Sequence, residues 1–180
     1  MLFNSLDFLL FFLIFFILYW LFNYKKNKIQ NIILLSGSYV FYGYWDYRFL
    51  SLIILSTLVD FFMSKLISLN PNSSFKRKLF LIISLVSNLG ILLFFKYYNF
   101  FIDTFSEIFL YEQLDYMLLN IILPVGVSFY TFQTLSYTID VYNKKIEPTS
   151  DLLGFSVYVA FFPQLVAGPI ERASTFLPQV

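Results

Sequence analysis

The sequence predicts an all-helical protein that crosses a membrane several times, and three observations carry that prediction. Hydrophobic residues make up 59% of the chain and charged residues only 13%, against about 25% charged in soluble domains, and mean hydropathy is +0.73. The apolar residues come in runs near the length of about 20 that a helix needs to cross hydrocarbon. The lysines gather in every second connection between those runs. With 25 Phe and 14 Tyr, the chain also has more rings than one small aqueous core would hold; they suit lipid-facing and interfacial positions.

The first run, 6–22, has Asp7 before it and Lys25, Lys26 and Lys28 after it, with no small-residue cleavage site. A secretory signal has the opposite charge order, so this is a retained first span with its N-terminus outside. Further spans are predicted over 29–45, 49–69, 79–98 and 119–141, followed by a shorter apolar stretch over 152–167. "WDYR" at 45–48 makes a tight turn rich in interfacial aromatics, and "NPNSSFKRK" at 70–78 is a helix-breaking loop. In this layout the inside connections hold Lys25, Lys26 and Lys28, then Lys76, Arg77 and Lys78, then Lys144 and Lys145. The long outside connection holds Asp103, Glu107, Glu112 and Asp115 and no basic residue. That is the positive-inside distribution. No internal repeat and no soluble domain is visible.

Composition also excludes chemistry. Without Cys or His, these residues form no disulfide, no thiolate nucleophile and no imidazole base or ligand, and no metal site is expected. A net charge of +1 without a basic patch gives no reason to expect a nucleic-acid partner.

Polar residues at membrane depth are the candidates for function. Asp60 lies mid-span in "ILSTLVDFFMSKL", where a carboxylate costs about 2.5–3.5 kcal/mol on insertion scales and so faces protein or water. It either lines a polar cavity or bonds to a neighbouring helix, with Asn88 in the next span as the candidate partner. In the fifth span, Gln133, Tyr137 and Asp140 share one helical face at i, i+4 and i+7. The stripe is either helix packing or the wall of a wet groove. Pro163 and then Gly168-Pro169 interrupt the stretch "VAFFPQLVAGPIER" at 159–172 after too few residues to cross. Irregular backbone at that depth has to be buried in protein or line a cavity. The stretch is therefore read as a re-entrant or interfacial element entering from the inside face, with Gln164, Glu171 and Arg172 at its polar edge.

"FFKYYNFF" at 94–101, "LPVGVSFYTFQTLSYTIDVY" at 123–142 and "FFPQLVAGPIER" at 161–172, in that order, resemble the N-terminal part of membrane-bound O-acyltransferases. "LLSGSYVFYGYWDYRFL" and "STLVDFF" fit the same pattern, and the wording "PQLVAGPI" resembles the alginate O-acetylation type more than the branch that moves D-alanine. The resemblance implies a ring of tilted helices around a tunnel. It also implies an acyl-CoA (acetyl-CoA) co-substrate taken up from the cytoplasmic side, and transfer towards an extracytoplasmic polysaccharide through a partner acetyltransferase, in a bacterial inner membrane. It implies that residues 1–180 are the N-terminal part of one acyltransferase domain. The family's catalytic His falls in a later helix, so no catalytic residue is assigned and the chain alone is expected to be inactive. Gln133, Tyr137, Asp140, Gln164 and Arg172 are then the candidates for cavity wall or donor groove. Arg172 would meet a donor phosphate, Glu171 or a lipid headgroup. Two alternatives stand: a non-catalytic membrane scaffold, and D-alanyl or peptidoglycan-type transfer within the same family. A transporter is the weakest reading, because no paired broken helices occur in repeat positions.

Overall fold

The computed structural model describes residues 3–21, 27–109, 119–169 and 171–180. Lys25, Lys26, Glu112 and Asp115 of the predicted connections, and Ile170 of the hairpin motif, lie outside them. All regular structure among the described residues is helical: α1 (Leu6–Leu21), α2 (Asn27–Asp46), α3 (Leu50–Leu69), α4 (Ser74–Leu92), α5 (Tyr98–Phe109), α6 (Val127–Tyr142), α7 (Leu152–Ala160), α8 (Phe162–Ala167) and α9 (Ala173–Phe176). Two helical stretches, Lys28–Leu69 and Ser74–Phe105, are long and apolar enough to cross a membrane, and Leu6–Leu21 and Leu152–Leu165 are shorter apolar helical stretches.

Several boundaries differ from the sequence reading, each for a local reason. The loop predicted over 70–78 shrinks to four residues, because the Ser73 hydroxyl accepts the Lys76 amide at 3.3 Å and caps α4. That helix does not end at 98. It passes through a π-helical segment, Leu93–Tyr97, and continues as α5. The span predicted over 119–141 begins only at Val127. Residues 119–124 have no regular structure, and Gly126 turns the chain at φ 75. A Cβ there would stand 2.8 Å from the Leu165 carbonyl oxygen, so both the left-handed backbone and the close approach require glycine. The "WDYR" turn is a 3₁₀ turn, Tyr47–Phe49, capped by Asp46, whose carboxylate also binds Arg48 bidentately.

Contacts sort the connections into two ends. At one end Tyr44 donates to Asp7 at 2.9 Å, and Arg48 shares a cavity with residues 119–122. At the other, Arg77 donates to the Tyr142 carbonyl, its guanidinium 5.1 Å over the Tyr142 ring. Arg77, Lys144 and Glu147 line one cavity there. The basic turns around 77 and 144 therefore share an end. Between the ends α3, α4 and α6 pack together, and α2 packs on α7.

The stretch over 152–167 breaks earlier than expected. The kink is at Phe161 (φ −55, ψ 106), and Pro163 sits in the first turn of α8, where a missing N–H costs nothing. Ser38 of α2 accepts the freed Phe162 amide at 3.2 Å. Leu165 then reaches Gly126, the chain turns at Gly168–Pro169, and Val180 returns to lie against Gly154. Residues 152–180 thus form a hairpin whose arms descend to the same end.

Candidate functional site

A buried polar seam runs through the α3–α4–α6 contact. Asp60, Ser84 and Asn88 are each fully buried. Ser84 Oγ donates to Asp60 Oδ1, and Asn88 Nδ2 donates to Asp60 Oδ2 at 2.9 Å. Ser56 Oγ donates to Asn88 Oδ1 and lies 3.4 Å from Thr134 Oγ1 of α6. Among the described residues no lysine or arginine lies within 4.0 Å of Asp60. Hydroxyl and amide donors alone therefore surround the carboxyl, which suits a site where an unpaired polar group is costly. The expected bond between Asp60 and Asn88 is present. Ser56, Ser84 and Thr134 were not singled out from the sequence, because a hydroxyl in a helix bonds as readily to its own backbone.

The second polar constellation ties the hairpin to α6. Gln133 Nε2 donates to the Tyr158 carbonyl at 2.7 Å. Tyr158, fully buried, places its hydroxyl 3.3 Å from the Gln133 carbonyl and 3.1 Å from that of Glu171. One tyrosine thus joins α6, the ascending arm and the descending arm. Nothing in the sequence distinguished it from neighbouring aromatics.

The stripe on α6 divides among three neighbours. Gln133 faces the hairpin. Tyr137 Oη lies 3.4 Å from Ser64 Oγ of α3 and accepts the Thr149 amide at 3.0 Å. Asp140 pairs with Lys145 at 3.4 Å near the helix end. At the tip of the hairpin Gln164 Nε2 donates to the Pro169 carbonyl at 3.3 Å, while Gln164 Oε1 is buried without a hydrogen-bond partner among the described residues. Arg172 is exposed beyond the tip, with no ion pair to Glu171. Tyr130 Oη, close by on α6, is likewise buried and unpartnered.

An all-helical fold among the described residues, with two helical stretches long and apolar enough to cross a membrane and a polar seam inside, is consistent with a membrane protein. Comparison with curated proteins narrows the class. The chain is 37% identical over 153 residues to the probable alginate O-acetylase AlgI of Pseudomonas aeruginosa, covering 84% of this chain and 29% of that protein. It is 35% identical over 153 residues to the probable alginate O-acetylase of Azotobacter vinelandii, covering 84% and 31%. It is also 32% identical over 181 aligned residues to the peptidoglycan O-acetyltransferase of Helicobacter pylori, covering 87% and 34%. The chain belongs with these O-acetylases to the membrane-bound O-acyltransferase family, and it spans about a third of the length of the curated relatives it matches. No family model and no solved structure matches it.

Proposed function

We propose that this chain is the N-terminal part of a multi-pass bacterial inner-membrane O-acetyltransferase, N-terminus outside, that moves acetyl groups from cytoplasmic acetyl-CoA towards an extracytoplasmic polysaccharide. The observation that carries the reading is the 35–37% identity over 84% of the chain to proteins named alginate O-acetylases. The 32% identity to a peptidoglycan O-acetyltransferase keeps peptidoglycan as a second acceptor, and an extracytoplasmic acetyltransferase is the proposed partner in delivery.

Within that enzyme these residues bind and shape. The seam fixes α3, α4 and α6 against one another, and the Gln133–Tyr158 knot holds the hairpin. Gln133, Tyr137 and Gln164, with Asp140 and Arg172 nearer the ends, are proposed to border the donor path. Since the 180 residues contain no His, an imidazole base would have to come from outside them, and these residues by themselves are proposed to be inactive.

The test uses membranes from the source organism with and without the gene, supplied with radiolabelled acetyl-CoA. The reading expects alkali-labile label in polysaccharide or peptidoglycan only when the gene is present. Equal label in both membranes would contradict it. Label confined to peptidoglycan would select that acceptor over alginate-type polymers.

A further inference from the structure

A cavity of about 290 Å³ opens at the end that carries the basic turns, between the α3–α4 connection and the connection after α6. At this end one membrane-length apolar stretch, Lys28–Leu69, stops and the next, Ser74–Phe105, begins, which puts the cavity at headgroup level if those stretches cross a bilayer. Buried Ile67 and Val141 give it an apolar side, and three charged side chains line it: Arg77, Lys144 and Glu147. Arg77 is fixed before any ligand arrives. Its Nη2 donates to the Tyr142 carbonyl and its guanidinium stands 5.1 Å over the Tyr142 ring, which leaves the rest of its planar fork of donors for an oxyanion. Lys144 is placed by the end of α6. Its own N–H donates to the Val141 carbonyl at 3.0 Å, and the Lys145 N–H to the Asp140 carbonyl at 2.9 Å. Helices usually complete that closure with Gly in the left-handed conformation. Lys144 adopts the conformation, at φ 57, in spite of its Cβ, so the strain is offset by something that only the side chain supplies. Neither cation has a carboxylate within 4.0 Å among the described residues, although Glu147 lines the same cavity.

We propose that this cavity holds the headgroup of one zwitterionic phospholipid, a phosphoethanolamine. The phosphodiester lies between Arg77 and Lys144, the ammonium meets Glu147, and the glycerol end rests on Ile67 and Val141. Basic pockets between helices at this level suit lipid phosphates, and Glu147 selects among them. A free phosphate, or a headgroup without a cation, brings only negative charge and leaves that carboxylate unpaired beside it. The ammonium removes the mismatch. The proposal goes beyond the acetyl-transfer reading and does not depend on it.

The protein, purified in mild detergent, is titrated with phosphatidylethanolamine and, in parallel, with phosphatidylglycerol, and read by native mass spectrometry. Retention of one phosphatidylethanolamine per chain at saturation is expected, with phosphatidylglycerol held about tenfold more weakly. A graded ladder of either lipid, or equal retention of both, would overturn the proposal. Glu147→Gln, at an exposed position, should bring the two lipids within about twofold of each other; undiminished selectivity there would count against the assignment. Lys144→Gly should weaken phosphatidylethanolamine roughly fivefold and yet melt no lower than the wild type, because Gly suits the left-handed position. Wild-type retention in that variant overturns the assignment equally. Inorganic phosphate or coenzyme A, each in excess over lipid, should leave the lipid in place. Displacement by either would give the cavity to a soluble phosphate and overturn the lipid reading.

Discussion

The α3–α4–α6 seam and the tip of the hairpin meet the membrane's constraint in opposite ways. In the seam every carboxyl and amide group of Asp60 and Asn88 meets a partner from the chain itself. At the tip of the hairpin Gln164 Oε1, and close by on α6 Tyr130 Oη, are buried without a hydrogen-bond partner among the described residues. Hydrocarbon supplies no hydrogen bonds, so a polar side chain at depth is satisfied either by another helix or by something that enters. The difference teaches that the seam is closed by the chain's own groups, whereas the hairpin tip keeps buried acceptors unmatched among the described residues.

Breaking the seam should have the largest effect. Asp60→Ala removes the acceptor of both Ser84 and Asn88 and leaves two buried donors unmatched, at about 1–3 kcal/mol for an orphaned group. The expected loss is about 3 kcal/mol, read as a lower unfolding midpoint in detergent, with Asn88→Ala costing less, about 2 kcal/mol. Next in size is the contact that sets the tip of the hairpin. Gly126→Ala forces a Cβ against the Leu165 carbonyl in a left-handed conformation, for about 1–2 kcal/mol, and should loosen 161–169 to protease or hydrogen exchange. Tyr158→Phe keeps the ring but deletes the bonds to the Gln133 and Glu171 carbonyls, for about 1 kcal/mol. It should expose the descending arm more than the ascending one. Smallest is the pair at the end of α6, where Lys145 is exposed: Lys145→Ala, which breaks the ion pair with Asp140, should change stability by about 0–1 kcal/mol. A seam variant no more costly than Lys145→Ala would erase the contrast between the regions.

The sequence made the seam half legible. Asp60 and Asn88 stand out because each is a strong polar group inside an apolar run, and their cost at that depth points to a shared bond. Ser56, Ser84 and Thr134 complete the seam but carry no such signal, since a helical hydroxyl can bond to its own turn. The hairpin was legible from Pro163 and Gly168-Pro169, yet its kink lies at Phe161 because proline is at home in a first helical turn. The start of α6 was misread because "LLNIILPVG" is as apolar as a helix, and hydropathy alone does not register that Gly126 must turn there under Leu165. Tyr158 had no distinguishing mark among 14 tyrosines.

The proposed role in O-acetyl transfer, and its dependence on the seam, can be tested together. The most direct measurement is the acetate released by mild alkali from surface polysaccharide and peptidoglycan of cells lacking the gene, complemented with wild type, Asp60→Ala or Lys145→Ala at matched membrane levels. The account predicts that wild type and Lys145→Ala restore the ester and Asp60→Ala does not. Ester content that is unchanged by loss of the gene, or fully restored by Asp60→Ala, would contradict it.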